Sequence, residues 1–128
     1  MTRQARYKIG DLFAASPNPP ATIGEMSAMD YNNRGLTYDN LERYDEALAE
    51  YGKAIRLQPD LATAYNNRGL TYQNLARYDE ALAEYGKAIR LQPDLATAYH
   101  NRGLTYQNLA RYDEALADYG KAIRLKPD

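Results

Sequence analysis

Hydrophobic and polar positions between residues 62 and 94 fall into two amphipathic halves. Tyr65, Gly69, Tyr72 and Leu75 recur at steps of four, three and three. Those steps keep one face of a 3.6-residue helix turned inward. The polar stretch around Arg77 breaks the run. Ala81, Leu82, Tyr85, Ala88, Ile89 and Leu91 then mark a second apolar face at helical spacing. Gln92-Pro93-Asp94 ends it, because a proline disfavours helical geometry at the residue before it. Asp94 is placed to cap the next helix by accepting its free N–H groups.

The same pattern runs three times. Ala28–Asp60, Ala62–Asp94 and Ala96–Asp128 align without gaps at a period of 34 residues. The second and third copies differ at three positions, Asn66/His100, Glu84/Asp118 and Gln92/Lys126. The first and second differ at four, Met29/Thr63, Asp30/Ala64, Asp39/Gln73 and Glu42/Ala76. The pattern predicts helices near 28–41, 44–57, 62–75, 79–91, 96–109 and 113–125. The fold class is therefore all-α, a solenoid of three helix-turn-helix units at 28–61, 62–95 and 96–128. Residues 1–27 form an N-terminal extension.

Two sets of glycines sit inside these helices. A helical glycine costs about 1 kcal/mol relative to alanine, so its recurrence at Gly35, Gly69 and Gly103 predicts close helix approach. Gly69 is expected to face Ala81, with Tyr65, Tyr72 and Tyr85 filling the remaining space as large plates. Gly52, Gly86 and Gly120 lie in the second helices, where a contact with the following repeat is expected.

Composition narrows the function. Of the 13 tyrosines, 12 lie in the repeats, so the bias against Phe (one) and Trp (none) is one choice copied three times. A net charge of -1 argues against a nucleic-acid binder, which needs a basic stripe to meet phosphate, and against a polybasic membrane anchor. The absence of cysteine excludes disulfides and thiolate metal sites and is compatible with a reducing compartment, so a cytoplasmic location is expected. One histidine is too few for a histidine metal site, and no cofactor is expected. No apolar run reaches the roughly 18 residues of a membrane span. Arg3, Arg6 and Lys8 have no apolar segment behind them and do not read as a secretory signal.

At this point the sequence resembles the tetratricopeptide repeat family, whose 34-residue helix-turn-helix unit carries an aromatic–Leu–Gly–Tyr–Ala–aromatic–Ala–Pro pattern. The matches are Tyr31, Gly35, Tyr38, Ala47, Tyr51, Ala54 and Pro59, then Tyr65, Gly69, Tyr72, Ala81, Tyr85, Ala88 and Pro93, then Tyr99, Gly103, Tyr106, Ala115, Tyr119, Ala122 and Pro127. The family's leucine before the glycine is replaced by Arg34, Arg68 and Arg102. The resemblance covers residues 28–128. It implies a right-handed superhelix whose first helices line a concave groove that takes a peptide or another protein's helix.

By that resemblance the groove positions are Asn32, Asn33, Leu36, Asp39 and Asn40, then Asn66, Asn67, Leu70, Gln73 and Asn74, then His100, Asn101, Leu104, Gln107 and Asn108. The residues agree. They fall opposite the tyrosine stripe, Asn and Gln offer both donors and acceptors to an extended backbone, and the leucines supply an apolar floor. The competing reading is an ordinary solvated face, copied with the repeats. Members that grip a chaperone's C-terminal carboxylate use a clamp of Lys, Arg and Asn. Asn33, Asn67 and Asn101 match its asparagines, but Asn32 and Thr97 stand where lysines belong, so that clamp is not expected.

Catalytic chemistry finds no support. Asp79, Glu80 and Glu84 look like paired carboxylates but recur in every copy, with Asp118 in the place of Glu84 in the third. They are expected to balance the helix dipole and to pair with Lys87. Gly86-Lys87 lacks the glycine spacing of a phosphate loop. His100 merely replaces an asparagine and reads as groove decoration. Arg34, Arg68 and Arg102 either pack their stems and pair with an acid or await an anionic partner, the first being favoured. The chain thus reads as a binding module, not an enzyme.

The two ends matter because stacked repeats expose an apolar face to a neighbour. Leu109, Tyr112, Leu116, Tyr119 and Ile123 of the third unit are expected to be incompletely covered, which invites self-association into a homo-oligomer. At the other end Tyr7, Ile9, Leu12 and Phe13 form a short apolar segment, read either as a tail or as an arm that docks on a second copy. Ser16-Pro17-Asn18-Pro19-Pro20 is a linker. Thr22 with Glu25, or Ser27 with Asp30, is placed for a capping box at the first repeat.

Overall fold

The computed structural model describes residues 26–126. Tyr7, Ile9, Leu12, Phe13, Thr22, Glu25 and Pro127 lie outside the described residues. Among those described, six helices follow one another with no strand: α1 Ala28–Asn40, α2 Tyr44–Leu57, α3 Ala62–Asn74, α4 Tyr78–Leu91, α5 Ala96–Asn108 and α6 Tyr112–Leu125. Each starts and ends within a residue or so of the place its apolar period predicts. Helices pack as hairpins, α1 on α2, α3 on α4 and α5 on α6, and the hairpins stack in chain order. The result is an all-α helical-repeat solenoid.

The hairpin turn is the same in all three units. Arg43, Arg77 and Arg111 each donate a backbone N–H to the carbonyl of Tyr38, Tyr72 or Tyr106 at 2.8 Å. That bond closes only if the preceding residue turns left-handed, and Glu42, Ala76 and Ala110 do so at φ of 59°, 58° and 58°. For a residue with a Cβ this conformation costs roughly 1 kcal/mol or more. A second signal fixes the turn from outside: the guanidinium of Arg77 lies 4.7 Å from the centre of the Tyr72 ring while pairing with Glu80 three residues on.

Inside each hairpin the helical glycines meet an aromatic ring, not the alanine expected. A Cβ on Gly69 would stand 2.7 Å from the Tyr85 ring, and one on Gly35 would stand 2.5 Å from Tyr51. Ala81 is itself fully buried. The expected inter-repeat contact of Gly52, Gly86 and Gly120 is also corrected. A Cβ there would meet only the guanidinium of Arg56, Arg90 or Arg124 on its own helix, at 3.5–3.6 Å.

Hairpins stack through small residues. Ala28, Ala54 and Ala64 form one buried seam, flanked by Tyr31, Ile55 and Leu61. Ala62, Ala88 and Ala98 form the next, flanked by Tyr65, Ile89, Leu91 and Leu95. The leucines explain a further correction. Asp94 was expected as a cap, but Leu95 occupies the N-cap position of α5, as Leu61 does at α3, and no side chain caps either helix. The turn that binds the Leu95 N–H to the Gln92 carbonyl at 3.1 Å holds Asp94 one position before the N-cap and places the leucine against the seam. At α1 the expected box does form, between Ser27 and Asp30.

Candidate functional site

The three arginines that depart from the family pattern join the helices of each hairpin. Arg34 binds Glu50 at 2.8 Å, Arg68 binds Glu84 at 2.8 Å, and Arg102 grips both oxygens of Asp118 at 2.7 and 2.8 Å. Each pair bridges 16 residues of sequence. Burial pushes the Glu50 carboxyl up, but the hydrogen bond and charge of Arg34, joined by Lys53, outweigh it and hold the group below its ordinary 4.5. The hydrogen bonds that Arg102 donates to the Asp118 carboxylate raise the guanidinium against the opposing effect of burial. These arginines are the paired, structural kind. Glu84 is taken up by Arg68 and Glu80 by Arg77, so the expected pairing of these acids with Lys87 is replaced. The reason is geometric: Arg68 on the facing helix reaches Glu84 through Nε, Arg77 in the turn reaches Glu80 with two donors, and Lys87 instead lies 6.0 Å from the Tyr65 ring centre.

The asparagine positions divide into two rows. Asn32 and Asn66 are buried in the seams. Asn67 Nδ2 donates to Asn32 Oδ1 at 2.9 Å and Asn101 Nδ2 donates to Asn66 Oδ1 at 3.2 Å. One row of amides therefore links repeat to repeat. Asp39 is also buried, accepting from Thr71 Oγ1 at 2.8 Å and from Asn74 Nδ2 at 3.1 and 3.2 Å. In the next seam Gln73 Oε1 accepts from Thr105 Oγ1 at 2.7 Å and from the Tyr85 hydroxyl at 2.8 Å. Thr71 and Thr105, absent from the sequence reading, are fully buried links in these chains. Their recurrence among amides at Thr37, Thr71 and Thr105 was the available signal.

What remains on the surface of the first helices is narrower than expected. Asn33, Asn40, Asn74, Gln107 and Asn108 are exposed, while Asn67, Asn101 and the row Leu36, Leu70 and Leu104 are half-buried. His100 departs from this row. It occupies the seam position of Asn66, at the outer face of the third repeat, with its ring 5.9 Å from that of Tyr119. There it borders a hollow of about 440 Å³, lined also by Ala96, Ala122, Ile123 and Lys126. Tyr119 lines it as well. In the same repeat Tyr112, Leu116 and Ile123 are 61%, 68% and 63% exposed, and Tyr119 and Leu109 are half-buried.

The tyrosines of the hairpin interfaces are shifted by enclosure. Burial pushes the Tyr51 hydroxyl up to about 12 and raises Tyr85 as well. Such groups stay neutral and serve as hydrogen-bonding plates. No described helix is long and apolar enough to cross a membrane.

Comparisons with known proteins agree with this architecture. A TPR repeat model matches residues 35–75 and 77–109, and tetratricopeptide repeat models match 61–92 and 96–128. Similar solved structures include the first TPR of Spaghetti (RPAP3) bound to HSP90 peptide SRMEEVD, 27% identical over 80% of this chain and 81% of that one, with a TM-score of 0.76. The Arabidopsis OM64 TPR domain is 29% identical over 79% of this chain and 84% of its own, with a TM-score of 0.75. MamA is 30% identical over 79% of this chain and 59% of its own, with a TM-score of 0.73. No curated protein sequence matches. The chain belongs to the tetratricopeptide repeat family.

Proposed function

We propose that this tetratricopeptide repeat protein is an interaction scaffold that takes an extended peptide along its first helices. The observation that carries the reading is the row Leu36, Leu70 and Leu104, half-buried at one per repeat and edged by exposed amides. A leucine at each step offers an apolar footing, and the amides offer donors and acceptors to a peptide backbone. Asn67 and Asn101 are held by their bonds to the preceding repeat, so they lose little freedom on binding. Support comes also from the RPAP3 domain, which was solved with a peptide. Glu80 and Glu84, two of the three acids that resemble a catalytic set, are taken up by arginines, which favours a binding module over an enzyme.

The preferred peptide is neutral. Asn32 is buried and bonded to Asn67, so no cation stands ready for a C-terminal carboxylate at that place. The test is selection from a library of displayed random peptides, followed by fluorescence polarisation of the selected sequences. Leu70→Arg should weaken binding at least tenfold, and Leu116→Arg, on the outer face, should leave it unchanged. Selected peptides that bind Leu70→Arg as well as the parent would sink the groove reading.

A second reading, self-association through the third repeat, is favoured by the exposed Tyr112, Leu116 and Ile123 of α6, the last of which lines the hollow. Mass measured by light scattering across a concentration series separates the two.

A further inference from the structure

The two faces on which a neighbouring repeat would stack are not complementary. Each internal seam is closed by a leucine and an alanine at the start of the incoming first helix: Leu61 with Ala64, and Leu95 with Ala98. Both alanines are completely buried. The corresponding positions of α1 hold Ser27 and Asp30. These two are turned on each other. The Ser27 N–H donates to Asp30 Oδ2 at 3.0 Å, and the Asp30 N–H donates to Ser27 Oγ at 3.1 Å. An apolar pair that closes a seam has become a polar pair that closes a helix end.

We propose that Ser27 and Asp30 make α1 a terminating face, which refuses the outer face of a second copy's third repeat. That outer face keeps the receiving side of an internal seam. Ala96 and Ala122 correspond to Ala62 and Ala88, and Ile123 corresponds to Ile89. What it would receive from another copy's α1 is wrong. Asp30 would enter the place where Ala98 is sealed from water, and Ser27 would stand where Leu95 packs. Desolvating the carboxylate opposes stacking, and a serine returns little of the lost apolar contact. Lys126 and His100, both exposed at the rim of the hollow, are the compensating groups within reach, and they are better solvated where they are. The device has a purpose in a chain of near-identical units. Head-to-tail contacts between copies that do not close into a ring grow into fibres. A polar outer face on a terminal repeat prevents this. The inference does not depend on what the groove binds.

The test restores the seam residues. In the full 128-residue chain, Ser27→Leu with Asp30→Ala should give a light-scattering mass that climbs with concentration beyond a dimer. The parent should stop at monomer or dimer. Adding Ile123→Glu to the double variant should return it to the parent's mass. A double variant with the parent's mass would overturn the proposal. So would a parent that itself grows without limit and shrinks in salt, since Asp30 would then be received by Lys126 and His100. A second variant works in the opposite direction. Leu95→Ser with Ala98→Asp installs the polar pair in an internal seam. It should uncouple the third repeat and split the thermal unfolding into two steps. A single transition at the parent's temperature would overturn the proposal independently of any association.

Discussion

The second and third repeats differ at three positions, yet equivalent residues lead different lives. Tyr85 is completely buried and Tyr119 is not. Both rings lie over a glycine so closely that an added Cβ would stand 2.7 Å from either. Both hydroxyls donate to a glutamine, Tyr85 to Gln73 at 2.8 Å and Tyr119 to Gln107 at 2.7 Å. The difference is α5, which covers the second repeat and brings Thr105 to the same glutamine oxygen. Leu82 and Ile89 are half-buried, while Leu116 and Ile123 stand mostly in water. Burial here is a property of the neighbour and not of the residue. Stability then divides into a part intrinsic to each hairpin and a part belonging to each seam, as expected for a one-dimensional array.

The sharpest way to break that comparison is to remove the two rings in turn. Tyr85→Ala opens a cavity under a sealed seam and should cost about 3–5 kcal/mol. Tyr119→Ala removes a ring that water already reaches, and about 1 kcal/mol is expected because less apolar area is lost. Urea unfolding followed by circular dichroism measures both. Equal losses would mean that the hairpin, not the seam, sets the value of the ring.

A titration probes the same contrast without a mutation. Tyr51 has its ordinary value of 10 pushed up to about 12 by burial, and Tyr85 is raised by the same cause. A raised group stays neutral in the fold while the unfolded chain ionises. Its contribution is therefore complete below pH 10 and is lost as pH rises from 10 through about 12. For Tyr51 that amounts to about 2–3 kcal/mol at the alkaline limit. Tyr119, raised by a thinner cover, should ionise before the other two. Ultraviolet difference absorbance during alkaline titration should show tyrosines ionising with unfolding, and Tyr85→Phe should remove part of that late step. A single titration at the ordinary value, with the fold intact, would contradict the burial argument.

The parts of this molecule legible in the sequence were those set by neighbours along the chain. The 3.6-residue apolar period and the proline breaks located all six helices, and Ser27 with Asp30 was one of two spacings that offered a capping box. Partners across a hairpin were harder. A repeated glycine announces close approach without saying which side chain approaches, and Tyr85 lies 16 positions beyond Gly69. Arg34 and Glu50 stand at the same distance, so their pairing was one option of two. Partners across a seam were hardest. Asn32 and Asn33 are identical neighbours, but stacking of the second repeat buries the first and leaves the second exposed. Nothing local distinguishes them. The exchange of Asp39 for Gln73 was the one visible hint that this row works as an acceptor in the seam.

The smallest expected effects come from the glycines, and they sharpen the comparison most finely. Gly69→Ala gains helix propensity of about 1 kcal/mol but must displace a ring sealed on all sides, at about 1–3 kcal/mol, so net destabilisation is expected. Gly103→Ala meets the same 2.7 Å clearance to Tyr119, but that ring has open space toward the hollow and can shift. Its net cost should be smaller and close to zero. Gly86→Ala supplies the control. Its Cβ would meet only the tip of Arg90 at 3.6 Å, a flexible group, so the propensity gain should appear as about 0.5–1 kcal/mol of added stability. Thermal melts of the three variants decide the order. If Gly103→Ala proves as harmful as Gly69→Ala, the Tyr119 ring is held by its own hairpin. The freedom assigned to the outer face would then be confined to Leu116, Ile123 and Tyr112.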